Sequence, residues 1–306
     1  MAILLNNEGH WHDQWREAIE KHMPNRKVME YPDIPDPSAI DYALIWKHPA
    51  GDLENYPNLK AVFSLGSGVD YIDAYPTLPD APIFRLIDTN MADDMALYTL
   101  YWIIHFQRRF GTYQAQQKNS NWTRHPTPLA PDYKVSILGL GAIGSHIAKV
   151  LSGNGFDVSG WSRSQKTIEN VNCVHGENGL KAILPNTDVL ICCLPFTKST
   201  YEFLDASVLS QLKKGANLIN ISRGAVIHEN DLLSLLESGH ISGAALDVFH
   251  TEPLPTNSPF WSRPNVHVTP HMSGATNPDT AAQIIAKEIS DFENGIMPPH
   301  PYKKED

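Results

Sequence analysis

The stretch KVSILGLGAIG, Lys134 to Gly144, decides the fold. Val135 to Leu140 is a short apolar run of strand character that leads into Gly139-Leu140-Gly141-Ala142-Ile143-Gly144, and a helical pattern follows from Ser145 to Ser152. Glycines at this spacing have separate jobs in a dinucleotide site. The first permits a tight turn, the second lets the backbone approach a pyrophosphate, and the third lets the helix pack on the strand. The helix N-terminus then offers free N–H groups to the phosphate. A glycine pattern alone could be a plain turn. Here it lies between a strand and a helix, and a second strand, Asp157 to Trp161, follows at the distance a Rossmann unit requires. Gly139, Gly141, Ala142, Ile143 and Gly144 are therefore the expected cofactor-binding residues.

The end of that second strand selects the cofactor. An NAD site places Asp or Glu there to accept from the ribose 2′-hydroxyl. This chain has Trp161-Ser162-Arg163-Ser164-Gln165-Lys166 and no acid. Arg163 can pair with a 2′-phosphate, and Ser162 and Ser164 can donate to it. NADP(H) is the expected cofactor, with NAD a weaker fit. The competing reading is a solvated polar turn.

Further out, AILL (residues 2–5), ALIW (43–46) and AVFSL (61–65) are short apolar runs separated by polar helical stretches. After residue 132 a second series opens: KVSILGL, DVSGW, VLICCL, NLINI, GAALDVF and VHVTPH. Strands alternating with helices predict parallel sheets, so the expected class is α/β with two doubly wound domains. Between the two series, one helical pattern runs from Met91 to Lys118, followed by a polar, Pro-rich stretch from Asn119 to Asp132, a linker or an arm. The last helical stretch, Asp279 to Asn294, is expected to return to the first domain.

Composition narrows the function classes. A chain of 306 residues suits two domains. At a net charge of −10 a nucleic-acid surface would have to rely on a local basic patch, and the basic run Lys303-Lys304 at the tail reads as a solvated end. The three cysteines, Cys173, Cys192 and Cys193, form no paired framework and fit reduced thiols. The opening MAILLNNEGHWHDQW has no basic n-region, and no run approaches the roughly 18 apolar residues of a membrane helix. A cytoplasmic location and no membrane partner are expected. His10 and His12 have a spacing that can hold a metal, but no third ligand suggests itself, and no metal is expected.

Three later segments carry chemistry: Asn220-Ile221-Ser222-Arg223-Gly224, Leu246 to Pro255 (LDVFHTEPLP) and Val268-Thr269-Pro270-His271. Reducing a keto acid needs a cation for the carboxylate and carbonyl, a proton donor for the developing alkoxide, and an acid that holds the imidazole charged. Arg223, His271 and Glu252 supply these, each at or just beyond a strand end, where open α/β sheets bind ligands. His250, close to Glu252, does not fit the motif.

With these strings in place, the chain resembles the D-2-hydroxyacid dehydrogenase family over nearly its whole length, most closely the branch that reduces glyoxylate and hydroxypyruvate. The resemblance rests on GLGAIG, LPFTKST, NISRGAVIHENDLLSLLESGHISGAALDVFHTEPLP, VTPH and, in the first domain, Phe63 to Asp70 (FSLGSGVD). It implies that Arg223 binds the substrate carboxylate and carbonyl, that His271 donates the proton and that Glu252 is hydrogen-bonded to it. It implies that N–H groups around Ser67, Gly68 and Val69 hold the carboxylate, that Asp247 meets the nicotinamide carboxamide, and that Leu194 and Pro195 line the cofactor. Gly66 and Gly68 are read as sparing side chains where backbone approaches an anion. Trp46 is a core aromatic or a wall of the substrate pocket.

The implied organisation is a substrate domain (1–98), an inserted NADP-binding domain (99–272) and a C-terminal return (273–306), in a homodimer formed through the long helix and the arm near Trp122. Two alternatives stay open. One is an NAD-dependent D-2-hydroxyacid dehydrogenase of another substrate such as D-lactate, and the other a non-catalytic nucleotide-sensing protein on the same fold. Met272 to Ala275 receives no role.

Overall fold

The structure, a computed structural model, describes residues 1–8, 11–66 and 68–303. It divides into two units, Met1–Met91 with Thr276–Asp306, and Ala92–Ala275. The expected boundaries, 98/99 and 272/273, both fall inside the second unit. The contacts explain this: Tyr98 bonds Thr269, and Ser273 bonds Asp247, so both segments belong with that unit. His10 and Ser67 lie outside the described residues.

The first unit contains β1 (Ala2–Asn6), α1 (His12–His22), β2 (Lys27–Glu30), β3 (Ile40–Ile45), β4 (Ala61–Ser64), α2 (Asp70–Asp73), β5 (Ile83–Arg85) and, from the C-terminal segment, α9 (Pro278–Glu293). Its five strands are parallel in the order β2-β1-β3-β4-β5. Alternate residues serve opposite faces, as a pleated strand requires. Ile3, Leu5, Leu44 and Phe63 meet Ile19 of α1 and Ala281, Ile285 and Ile289 of α9. Leu4, Ala43, Ile45 and Val62 point the other way, onto Leu53, Tyr56 and Ile72. The last helix thus completes the first core, as expected. Beyond it the chain bridges antiparallel onto the edge: Arg85 N–H donates to the His300 carbonyl, and Tyr302 N–H to that of Ile83.

The helix α3 (Thr89–Gln107) leads into the second unit, followed by α4 (Phe110–Lys118). The sequence pattern predicts one continuous helix here. The structure interrupts it at Arg109, which adopts a left-handed φ of 56°. No glycine or proline marks the break, and Gly111 comes two residues after it. Residues 121–129 are irregular, as the Pro-rich composition predicts. Then come β6 (Lys134–Leu138), α5 (Ala142–Gly153), β7 (Asp157–Ser162), β8 (Asn172–His175), α6 (Gly176–Ile183), β9 (Val189–Cys192), α7 (Ala206–Leu209), β10 (Ala216–Asn220), α8 (Glu229–Glu237), β11 (Ile241–Leu246) and β12 (Val266–Val268). Their order is β12-β11-β10-β9-β6-β7-β8, all parallel. The chain winds outward in both directions from the β6/β9 pair, which makes that pair the topological switch point of a Rossmann-type sheet. Among the described residues no helix is long and apolar enough to cross a membrane.

One aromatic cluster joins α3 to the sheet edge. Trp102 stacks on His267 of β12 at 4.6 Å between ring centroids, and His105 meets the same ring edge-on at 4.5 Å. Burial, with the neighbouring His105, pushes the His267 imidazole down to about 4 from its ordinary 6.5. Burial lowers His105 as well. A proton taken up readily by the unfolded chain is therefore refused by the folded one. This contribution to stability should be complete above pH 6.5 and fall as the pH drops from there towards 4. His267→Phe keeps the stack on Trp102 and should flatten this acid limb in a series of melting temperatures against pH. Parallel curves for wild type and variant would remove His267 as its cause.

Candidate active site

The nucleotide end is built by close backbone approaches. Gly139 turns at φ 99°, and a Cβ there would sit 2.6 Å from the Cys193 carbonyl oxygen, just beyond β9. A Cβ on Gly144 would lie 1.9 Å from the Gly139 carbonyl oxygen, so the first turn of α5 can rest on the strand end only as glycine. Gly141 differs: a Cβ there would meet no protein atom within 4 Å. The packing demands the first and third glycines and leaves the second to some other partner. The amides of Ala142, Ile143 and Gly144 open the helix, where N–H groups lack intrahelical acceptors, and this geometry fits a pyrophosphate. Leu194 is buried and Pro195 exposed on the loop after β9, beside the same turn.

At the end of β7 the serines separate. Ser162 is buried and its hydroxyl donates to the Ser164 carbonyl at 2.6 Å, so it shapes the turn. Arg163 and Ser164 are exposed. These two remain the groups able to meet a ribose phosphate.

The acid–base end gathers at the carboxyl ends of β10, β11 and β12. His271 Nδ1 lies 2.8 Å from Glu252 Oε2, while Glu252 Oε1 accepts the Phe249 N–H at 3.0 Å. The carboxylate is thereby anchored on one side and holds the imidazole on the other. Both side chains are about one-third open to solvent, at 38% for His271 and 29% for Glu252. Arg223 follows β10, half-buried, and its guanidinium donates to the Ser222 carbonyl at 2.8 Å. The buried Asn220 locks this turn: its side chain accepts from the Ser222 N–H and hydroxyl and donates to the Arg223 carbonyl. A Cβ on Gly224 would lie 1.8 Å from the carbonyl carbon of Phe249, so glycine is what lets the Arg223 turn lie against the chain leading to Glu252. His250 is engaged elsewhere, with Nε2 2.8 Å from the Ile227 carbonyl.

Asp247 is fully buried. Its carboxylate accepts from the Thr269 hydroxyl and from the amides of Met272 and Ser273. Sequence reasoning quoted Asn220 and Thr269 within their motifs but gave them no task. Tyr98, which reaches Thr269 from 171 residues away, carries no local signal at all.

In the first unit Trp46 is half-buried, packs against the core and meets Tyr71 edge-on at 5.4 Å. A Cβ on Gly66 would stand 2.5 Å from the Trp46 indole. The glycine read from the sequence as an anion contact is thus required by an aromatic ring. Gly68 and Val69 are half-buried just before α2, and Val69 packs beside the second-face core. No cluster of potential metal ligands occurs among the described residues.

A Rossmann sheet with a glycine turn at its switch point and an Arg–Glu–His set at the neighbouring strand ends defines a dehydrogenase of hydroxy acids. The chain belongs to the D-isomer specific 2-hydroxyacid dehydrogenases, whose NAD binding domain matches residues 100–273. It is 40% identical to the glyoxylate/hydroxypyruvate reductase A of Salmonella heidelberg (strain SL476) over 287 residues, covering 92% of this chain and 91% of that protein. Among solved structures, a D-isomer specific 2-hydroxyacid dehydrogenase of Xanthobacter autotrophicus Py2, in complex with NADPH and MES, superposes with a TM-score of 0.94. It is 37% identical, over 99% of this chain and 98% of that one. An NADPH-dependent glyoxylate/hydroxypyruvate reductase of Sinorhizobium meliloti, in complex with NADP and sulfate, gives 0.93 at 34% identity, over 99% and 98%.

The glycine geometry makes a paired test. Gly144→Ala overpacks backbone and should cost roughly 1–3 kcal/mol of stability. Gly141→Ala should leave the melting temperature unchanged yet weaken dinucleotide binding by about tenfold or more, equivalent to about 1.4 kcal/mol. Unchanged affinity in Gly141→Ala would show that no phosphate approaches that backbone.

Proposed function

We propose that this chain reduces small 2-keto acids, glyoxylate and hydroxypyruvate among them, to 2-hydroxy acids with NADPH. The observation that carries the reading is the 2.8 Å contact between His271 Nδ1 and Glu252. It fixes the imidazole and leaves Nε2 as the proton-donating atom. NADPH supplies a hydride to the carbonyl carbon. His271 gives the Nε2 proton to the carbonyl oxygen and ends neutral. Arg223 pairs with the carboxylate and polarises the carbonyl, a task its planar fork suits. Trp46, Ser67, Gly68 and Val69 belong to the same proposal as substrate-holding residues, and so do Leu194, Pro195 and Asp247 on the cofactor side. The absence of an acid at the β7 end and the exposed Arg163 support NADPH over NADH.

Initial rates on a panel of keto acids with either cofactor test this in wild type and two variants. His271→Ala should lower kcat by roughly 10²–10⁴, the usual worth of a positioned acid. A charge-assisted contact contributes about 1.5–3 kcal/mol, so NADPH should be favoured by about 10- to 100-fold in kcat/KM. Arg163→Ala should erode that preference without harming NADH use. An aldehyde lacking the carboxylate, if turned over as well as glyoxylate, would contradict the reading. Faster oxidation of D-lactate with NAD would favour the lactate-type alternative, and nucleotide binding without turnover would favour the sensor.

The proposal includes a homodimer. What supports it is that Leu97 and Tyr101 of α3, Phe110 of α4, and Trp122 and Leu129 of the irregular segment are large apolar side chains exposed on a single chain, which a partner chain would cover. Sedimentation should give about twice the chain mass of 34.1 kDa. A single-chain mass would defeat this part.

A further inference from the structure

We propose that Tyr98 and Thr269 are positioning residues for His271, acting through a chain of hydroxyls that ends on the Asp247 carboxylate. The inference deepens the reading of His271 as the proton donor and rests on it for its catalytic consequence. His271 adopts a left-handed φ of 51°, a conformation that residues with a Cβ rarely occupy unless the surroundings impose it. Asp247 holds most of the turn, while the Thr269 carbonyl also accepts from the His271 N–H at 3.1 Å. The Asp247 carbonyl accepts the His271 N–H at 2.8 Å. Its carboxylate takes the next two amides, Met272 on Oδ1 and Ser273 on Oδ2, each at 2.9 Å. The catalytic turn is wrapped around a single buried acid.

An isolated carboxylate can rotate about its last torsion, which is broad and shallow. The two amides take one oxygen each, and two further groups brace the plane they set. The Thr269 hydroxyl lies 2.6 Å from Oδ1, and Tyr98 Oη lies 2.6 Å from the same hydroxyl oxygen. The direction of the chain follows from the donors. Backbone amides can only donate, so Asp247 is the acceptor. The single Thr269 proton must point at it, and Tyr98 must supply the proton of the remaining contact. Burial pushes the Tyr98 phenol up to about 12, which keeps that proton in place. Its ring packs edge-on against Trp102 one turn along α3. The long helix thereby sets the orientation of Asp247, and Asp247 sets the turn that presents the imidazole. Hydroxyls serving only to satisfy buried oxygens would not affect that turn.

Thr269→Val removes the hydroxyl at nearly constant shape, Thr269→Ser restores it, and Tyr98→Phe removes the outer link alone. Hydrogen exchange of the Met272 and Ser273 amides reads the turn without any turnover. Exchange should quicken about tenfold or more in Thr269→Val, stay within about twofold of wild type in Thr269→Ser, and fall between in Tyr98→Phe. With glyoxylate and NADPH, kcat of Thr269→Val should fall by about tenfold or more. Wild-type exchange in folded Thr269→Val would overturn the proposal, and so would faster exchange with unchanged kcat. If Thr269→Val does not fold, Tyr98→Phe decides it by the same two measurements, and wild-type values in both would overturn it. A wild-type protein without keto-acid reductase activity would defeat the functional reading instead, while the exchange series would still test the positioning.

Discussion

The buried carboxylate of Asp247 is the constraint on which the turn that carries His271 depends. A charged oxygen pair removed from water is tolerated only when donors surround it. Here the donors are two consecutive amides of one turn and a hydroxyl beside them. Meeting the needs of the acid and shaping the turn are one event. The left-handed His271, the reach of its ring to Glu252 and the anchoring of Glu252 on the Phe249 amide all follow within a few residues of β11 and β12.

A second constraint is steric. At Gly139, Gly144 and Gly224 one backbone lies against another where no Cβ fits. The first two bring β6, β9 and α5 together around the turn at the switch point. The third brings the Arg223 turn against the chain that leads to Glu252. Close approach between strand ends is thus what allows groups from separate β–α units to act at neighbouring points. The sheet orders the elements, and the glycines set how near their ends come.

These constraints also explain what could be read from the sequence. β1, β3, β4 and β6 contain short, largely apolar runs because strands of a parallel sheet are buried on both faces, and they are legible as such. β2 (KVME), β5 (IFR) and β8 (NCVH) are not legible in this way, since they lie at sheet edges and are short, and β2 and β8 also keep exposed residues. The Arg–Glu–His set was legible because its members sit in compact motifs. Tyr98 was not, because its only link to the site is a contact across the fold. Gly66 has a neighbour that spacing does not reveal: the sequence shows where a side chain is missing, and only the packing shows that the Trp46 ring fills the space. Ser162 shows the limit at the cofactor end, where a hydroxyl available on paper is already bonded to the Ser164 carbonyl.

The chain leaves its first unit at Met91 and returns only at Thr276. Ala281, Ala282, Ile285 and Ile289, which close one face of that unit's core, therefore leave the ribosome only after the whole of the second unit. The second unit is contiguous in sequence and has its whole sheet available earlier. Domains generally fold as units while synthesis proceeds. In this chain vectorial synthesis favours the later-encoded unit, and strands β1 to β5 must wait, with one apolar face uncovered, until the whole of that unit has been made.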